Sequence, residues 1–275
     1  MEMYVSLFQQ HAVTSGEVLL ELTETHLREM GVTTIGHRLL LTKRIRDMKG
    51  TGSASVSLDG RMNSIGELFQ SVVVLYSESV GNVDKRLYRT MPDSRMYLTE
   101  RGVEQARRAG QRIKDIIANE SIACYISPFT RSKQTFDAVK LAFRNDQVTW
   151  TEEPRIREQE WGNFQDPEKV EEVMEERRKI GSFYFRFPTG ESGADVYDRV
   201  SSFLETLYRD MKKGRCKQNI LLVTHGLTSR LFLMRYFHWE VERFHRLWNL
   251  ENGEFVVLEL QPEGGYILTT ELKSE

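Results

Sequence analysis

Three segments of the chain place reactive side chains directly after apolar, β-branched runs. Ile220-Leu221-Leu222-Val223 leads into Thr224-His225-Gly226. A His at a strand end can present its imidazole to a ligand, and the following Gly lets the backbone approach closely. Ala123-Cys124-Tyr125-Ile126 leads into Ser127-Pro128-Phe129-Thr130-Arg131. The Ser-Pro turn starts a helix with Arg131 in its first turn. A cation is unfavourable at that end of the helix dipole, so Arg131 is either solvated or paired with an anion. A third segment, Arg155-Ile156-Arg157-Glu158-Gln159-Glu160-Trp161-Gly162-Asn163-Phe164, offers Glu158 as a general acid in a loop of side chains able to hold it. Each segment alone also fits a bland reading: a structural His, a solvated Arg, a solvated carboxylate.

The elements that must position these groups alternate in type. Val72-Val73-Val74-Leu75-Tyr76 reads as a strand buried on both faces. Thr99 caps a helix running to about Ala118, and Ala123 to Ile126 is the next strand. A helix from Phe129 to Phe143, a strand near Val148 to Trp150 and an amphipathic helix from Ser192 to Lys213 follow. The run at Ile220 is the clearest strand, before a helix over Leu227 to Phe237 and a final strand over Glu254 to Leu260. Such alternation predicts an α/β three-layer sandwich with a mostly parallel sheet, in which ligands sit at the carboxyl ends of strands.

The 275 residues divide once. Residues 1–49 read as all-helical, 50–64 as a flexible Gly/Ser-rich linker, and 65–275 as the α/β domain. A net charge of -2 gives no field that would draw nucleic acid or a membrane. Two cysteines, Cys124 and Cys216, exclude a disulfide scaffold and a Cys-rich zinc site and point to the cytoplasm. No apolar run reaches the roughly 18 residues of a membrane span.

Taken together and in order, six segments resemble the histidine phosphatase superfamily, the phosphoglycerate mutase-like proteins. They are Glu78-Ser79-Val80-Gly81-Asn82, Leu98-Thr99-Glu100-Arg101-Gly102, Ser127-Pro128-Phe129-Thr130-Arg131, Arg157 to Phe164, Gly190-Glu191-Ser192 and Val223-Thr224-His225-Gly226. The resemblance implies that Arg131 clamps phosphate, that His225 is the second catalytic His, that Glu158 is the acid/base carboxylate, and that Asn82 lines the phosphate pocket. It implies neither a metal nor a cofactor. Mutases of the family usually carry an Arg–His–Tyr–Gly type loop where this chain has Glu160-Trp161-Gly162, which favours the phosphatase branch.

The first family segment departs. Members carry Arg-His-Gly directly before Glu-Ser, and here those positions are Leu75-Tyr76-Ser77, with the flanking frame intact. Tyr76 stands where the nucleophile would be, and a phenol of reference pKa about 10 is protonated at neutral pH. Leu75 removes one guanidinium from the phosphate. Ser77 adds a Cβ where the backbone would approach it. The expectation is a catalytically impaired protein that binds a phosphorylated small molecule or phosphoprotein weakly, or scaffolds. The alternative is a weak phosphomonoesterase using Glu158 and His225.

Residues 4–48 resemble the later part of a sterile alpha motif (SAM) domain, with the family's first helix expected before Tyr4. The residues that carry this are Tyr4, Phe8, Gly16-Glu17-Val18-Leu19-Leu20, Leu22-Thr23, Leu27, Met30-Gly31-Val32, Gly36-His37-Arg38 and Leu39-Leu40-Leu41. Glu17, Glu21, Glu24 and Glu29 lie mid-segment, and Arg38, Lys43, Arg44, Arg46 and Lys49 at its end. Opposed patches suit head-to-tail self-association or a SAM-containing partner.

Overall fold

The computed structural model describes residues 11, 21–32, 71–162, 167–212, 219–260 and 266–274. The chain forms two compact units, Met1–Phe69 and Gln70–Glu275. The expected linker over 50–64, Cys216 and most of the SAM-like segment lie outside the described residues. In the first unit, helix α1 (Glu24–Glu29) is capped by Thr23, whose hydroxyl accepts from the His26 N–H, with Leu27, Met30 and Val32 buried.

The second unit alternates as its periodicities predict. Strand β1 (Ser71–Leu75) is followed by the short helix α2 (Val80–Val83) and by two 3₁₀ turns, Lys85–Arg89 and Asp93–Arg95. Helix α3 (Glu100–Ile117), strand β2 (Ile122–Ile126), helix α4 (Thr130–Lys140) and strand β3 (Val148–Glu152) come next. A 3₁₀ turn at Pro154–Ile156 precedes helices α5 (Pro167–Ile180) and α6 (Gly193–Lys212). Strand β4 (Asn219–Val223), helices α7 (Gly226–Phe237) and α8 (Val241–Arg246), and strands β5 (Phe255–Leu260) and β6 (Tyr266–Leu268) complete it.

The sheet order is β3-β2-β4-β1-β5-β6. The first four strands are mutually parallel, whereas β5 runs antiparallel to β1 and β6 antiparallel to β5. Every residue of β1 and β4 is buried, because helices cover both faces. Alternation divides the side chains: Val72, Val74, Ile220 and Leu222 enter one apolar cluster with α6 and α7. Val73, Leu75, Leu221 and Val223 enter another with α3 and α4. Four elements lie outside the sequence expectations, the first being the four-residue α2. α5 is dominated by Glu, Lys and Arg, α8 is six residues long, and β6 is three, too short for a period to register.

Glycine sets two close approaches that matter for the site. A Cβ on Gly102 would stand 2.0 Å from the Glu78 carbonyl oxygen, so the start of α3 presses against the chain leaving β1. A Cβ on Gly190 would stand 2.2 Å from the Glu160 carbonyl oxygen, which brings Gly190-Glu191-Ser192 against the loop carrying Glu158.

Candidate functional site at the strand ends

β1, β2 and β4 are neighbours and parallel, so the residues after Leu75, Ile126 and Val223 emerge on one edge. His225 caps α7 and is buried, with its ring edge-on to Phe129 at 5.0 Å between centroids. Its Nδ1 accepts from Arg131 Nε at 3.2 Å, and its Nε2 lies 2.7 Å from Ser127 Oγ and 3.3 Å from Ser132 Oγ. A guanidinium only donates, so Nδ1 is the acceptor and the ring proton sits on Nε2. Burial, then the charges of Arg131 and Arg199, hold the imidazole well below its ordinary pKa. His225 is a neutral imidazole whose free lone pair is already taken.

Arg131 has found its anion inside the chain. Its Nη1 donates to the Asp93 carbonyl at 2.7 Å and to Asp93 Oδ1 at 2.8 Å, and its Nη2 donates to Oδ2 at 3.1 Å. The guanidinium also lies 4.9 Å from the Phe129 ring centroid. Such a fork-to-fork pair is the strong form of charge-assisted bonding, and it uses the geometry a phosphate would need. Tyr88 stands beside this pair. Burial of its hydroxyl and the nearby Asp93 carboxylate push it up to about 12.

Tyr76 donates from its hydroxyl to the Leu250 carbonyl oxygen. Burial first, and the Glu158 carboxylate second, raise its pKa further above the ordinary phenol value, so it stays protonated. Leu75 is fully buried in the α3–α4 cluster. The Ser77 hydroxyl is buried with no partner among the described residues. Glu158 Oε1 accepts from the Gln159 N–H at 3.1 Å and from the Thr228 hydroxyl at 3.1 Å. Asn82 is exposed and serves its own helix cap, its Oδ1 accepting from the Ser79 N–H at 2.8 Å and hydroxyl at 3.0 Å. That leaves Nδ2, the half of the amide able to donate to an anion.

The structure thus brings Arg131 and His225 into direct contact, and sets Glu158 near Tyr76, while Asn82 bonds locally. Sequence reading missed Asp93 and Arg199. Arg199 donates to the carbonyls of Arg155 at 2.7 Å, Arg157 at 2.8 Å and Glu158 at 3.0 Å, clamping the loop that carries Glu158. It also pairs with Glu191, which pairs with Arg157 in turn. Burial opposes ionisation of Glu191, but the Arg199 hydrogen bond, the Glu160 N–H and the two guanidinium charges prevail and lower its pKa. A signal existed for Arg199: it falls on the buried stripe of α6, between Val196 and Phe203, where a solvated Arg has no place. Asp93 sits in a short 3₁₀ turn that no pattern marks.

The domain is an α/β sandwich with a His and an Arg at its strand ends and a carboxylate on a neighbouring loop. The family model of the histidine phosphatase superfamily (branch 1) matches residues 77–272, and the chain belongs to that superfamily. A SAM domain (sterile alpha motif) model matches residues 1–49, so the chain carries that domain as well.

Among curated relatives, the chain is 43% identical over 211 residues to phosphoglycerate mutase-like protein AT74H of Arabidopsis thaliana, covering 71% of this chain and 75% of that one. It is 50% identical over 125 residues to the broad-range acid phosphatase DET1 of Saccharomyces cerevisiae, covering 44% of this chain and 37% of that one. Two solved structures share the fold. A mycobacterial glucosyl-3-phosphoglycerate phosphatase has a TM-score of 0.59 at 16% identity, covering 75% and 100% of the two chains. The alpha-ribazole phosphatase of Shigella flexneri has a TM-score of 0.56 at 19% identity, covering 74% and 96%. Among the described residues no helix is long and apolar enough to cross a membrane.

Proposed function

We propose that this is a catalytically impaired member of the superfamily that binds a phosphorylated small molecule or phosphoprotein, or scaffolds through it, in the cytoplasm. One observation carries the reading: Tyr76, which the resemblance sets where the nucleophile would be, is a protonated phenol tied to the Leu250 carbonyl. The surroundings agree. Arg131 is neutralised by Asp93 and Leu75 supplies no second guanidinium. His225 offers no lone pair to a phosphorus atom, since Nδ1 accepts from Arg131. Loss of a covalent nucleophile costs roughly 10⁴ to 10⁶ in turnover by analogy with proteases.

The second reading, slow phosphomonoester hydrolysis with Glu158 activating water, has its own support. Glu158 is retained and held by Thr228, and one relative is named a broad-range acid phosphatase.

The test is to compare phosphomonoester turnover by the native chain and by a Leu75→Arg, Tyr76→His, Ser77→Gly version. Activity gained only by the triple variant supports the reading; equal activity in both sinks it. Leu75→Arg places a guanidinium in an apolar cluster, so the triple variant is also expected to melt earlier. Tyr76→His alone is the companion that keeps the core intact.

A further inference from the structure

Two other arginines stand apart from the ion pairs described above. Arg177 lies near the end of α5 and its guanidinium lies 5.9 Å from the Phe187 ring centroid; Arg230 lies on α7, 4.8 Å over Phe244. A run of backbone and ring contacts links the elements that carry them. The Arg177 carbonyl accepts from the Gly181 N–H at 2.9 Å. Gly181 abuts His245, where an added Cβ would stand 2.6 Å from Cε1. His245 follows Phe244, on which Arg230 stacks. Arg230 Nη1 donates to the Leu247 carbonyl at 2.7 Å, in the same loop whose Leu250 carbonyl receives Tyr76.

Both side chains are half-buried, and the Nε of each is buried with no acceptor among the described residues. Neither lies within ion-pair distance of a described carboxylate. Glu158 acts on both at longer range, and the Arg177 charge reaches Arg230. Two half-buried cations that share one distant carboxylate carry charge that a bound anion would compensate. Each stacked guanidinium is held in a fixed plane, as bidentate recognition of an oxyanion requires.

We propose that the oxyanion seat of this chain is the Arg177–Arg230 pair rather than Arg131, and that it takes the phosphate group of a phosphomonoester. The proposal rests on the phospho-ligand reading above and gives it a location. Arg131 is committed to Asp93, so the guanidinium missing at Leu75 is compensated from α5 and α7.

The experiment titrates inorganic phosphate into the full chain near neutral pH at fixed ionic strength, with acetate as control. Calorimetry gives affinity, and the arginine Nε–H resonances report the seat without any variant. The Nε–H signals of Arg177 and Arg230 are expected to move. Arg177→Gln is expected to weaken binding about tenfold, and Arg131→Gln to change it by less than about twofold. Binding lost in Arg131→Gln but unchanged in Arg177→Gln, with only the Arg131 signal moving, overturns the seat and leaves phospho-ligand binding standing. No saturable binding by the native chain overturns both.

Discussion

Among the described residues, His225 is one of two histidines, with His245, that burial holds below the ordinary pKa and on which mild acid acts. Its pKa in the folded chain lies well below the ordinary histidine value, through burial and the charges of Arg131 and Arg199. The unfolded chain therefore takes up the proton that the folded chain refuses. The His225 contribution to stability is fully present above about pH 6.5 and is lost as pH falls from there toward the folded pKa. One such group gives a slope of at most about 1.4 kcal/mol per pH unit. Asp195, which burial disfavours but which Ser192 and Arg186 bonds hold at about 2, loses its contribution only in more acidic solution, below the ordinary carboxylate range. Chemical denaturation of the native chain at a series of pH values between 7 and 5 should show the slope, and His225→Asn should reduce it, leaving the smaller share of His245. A native chain with pH-independent stability across that window would contradict the buried neutral imidazole.

Two glycines fix the elements around the site at close quarters. Gly102→Ala would drive a Cβ into the Glu78 carbonyl, a backbone atom that cannot swing aside. A cost of about 1–3 kcal/mol is expected, seen as a lowered melting temperature at roughly 2–4 °C per kcal/mol. An unchanged melting curve would mean that α3 does not press on the chain leaving β1. At this scale the sequence is informative wherever period and burial agree. The parallel strands, the Thr99 cap of α3 and the helix after Gly226 are legible because each pairs a two- or 3.6-residue period with a turn or cap signal. α5 and α8 are not, because the first is charge-dominated and the second too short. The same limit applies to the site. His225, Arg131 and Glu158 follow strand ends or a recognisable loop, but Asp93 holds Arg131 from a turn 38 residues away in sequence. Arg199 and Arg230 were legible in principle, as charges on otherwise apolar helix stripes.

At the scale of the whole molecule, a SAM domain precedes a phosphatase-fold unit. We propose that the acidic middle and basic end of the SAM segment drive self-association or pairing with another SAM domain. Mass in solution should therefore be higher at low salt than at high salt, since a Debye length of about 10 Å at 0.1 M shrinks as salt rises. A salt-independent monomer, with no SAM-containing partner bound at low salt, would sink that idea. We propose that this phosphatase fold, with Leu75-Tyr76-Ser77 in its first segment, does not turn over its ligand through this site. The most direct test of this is the hydrolysis rate of an aryl phosphate by the native chain beside His225→Ala, both confirmed folded. The two should be indistinguishable from each other and from a no-protein control. A native rate well above control that His225→Ala abolishes would contradict the account.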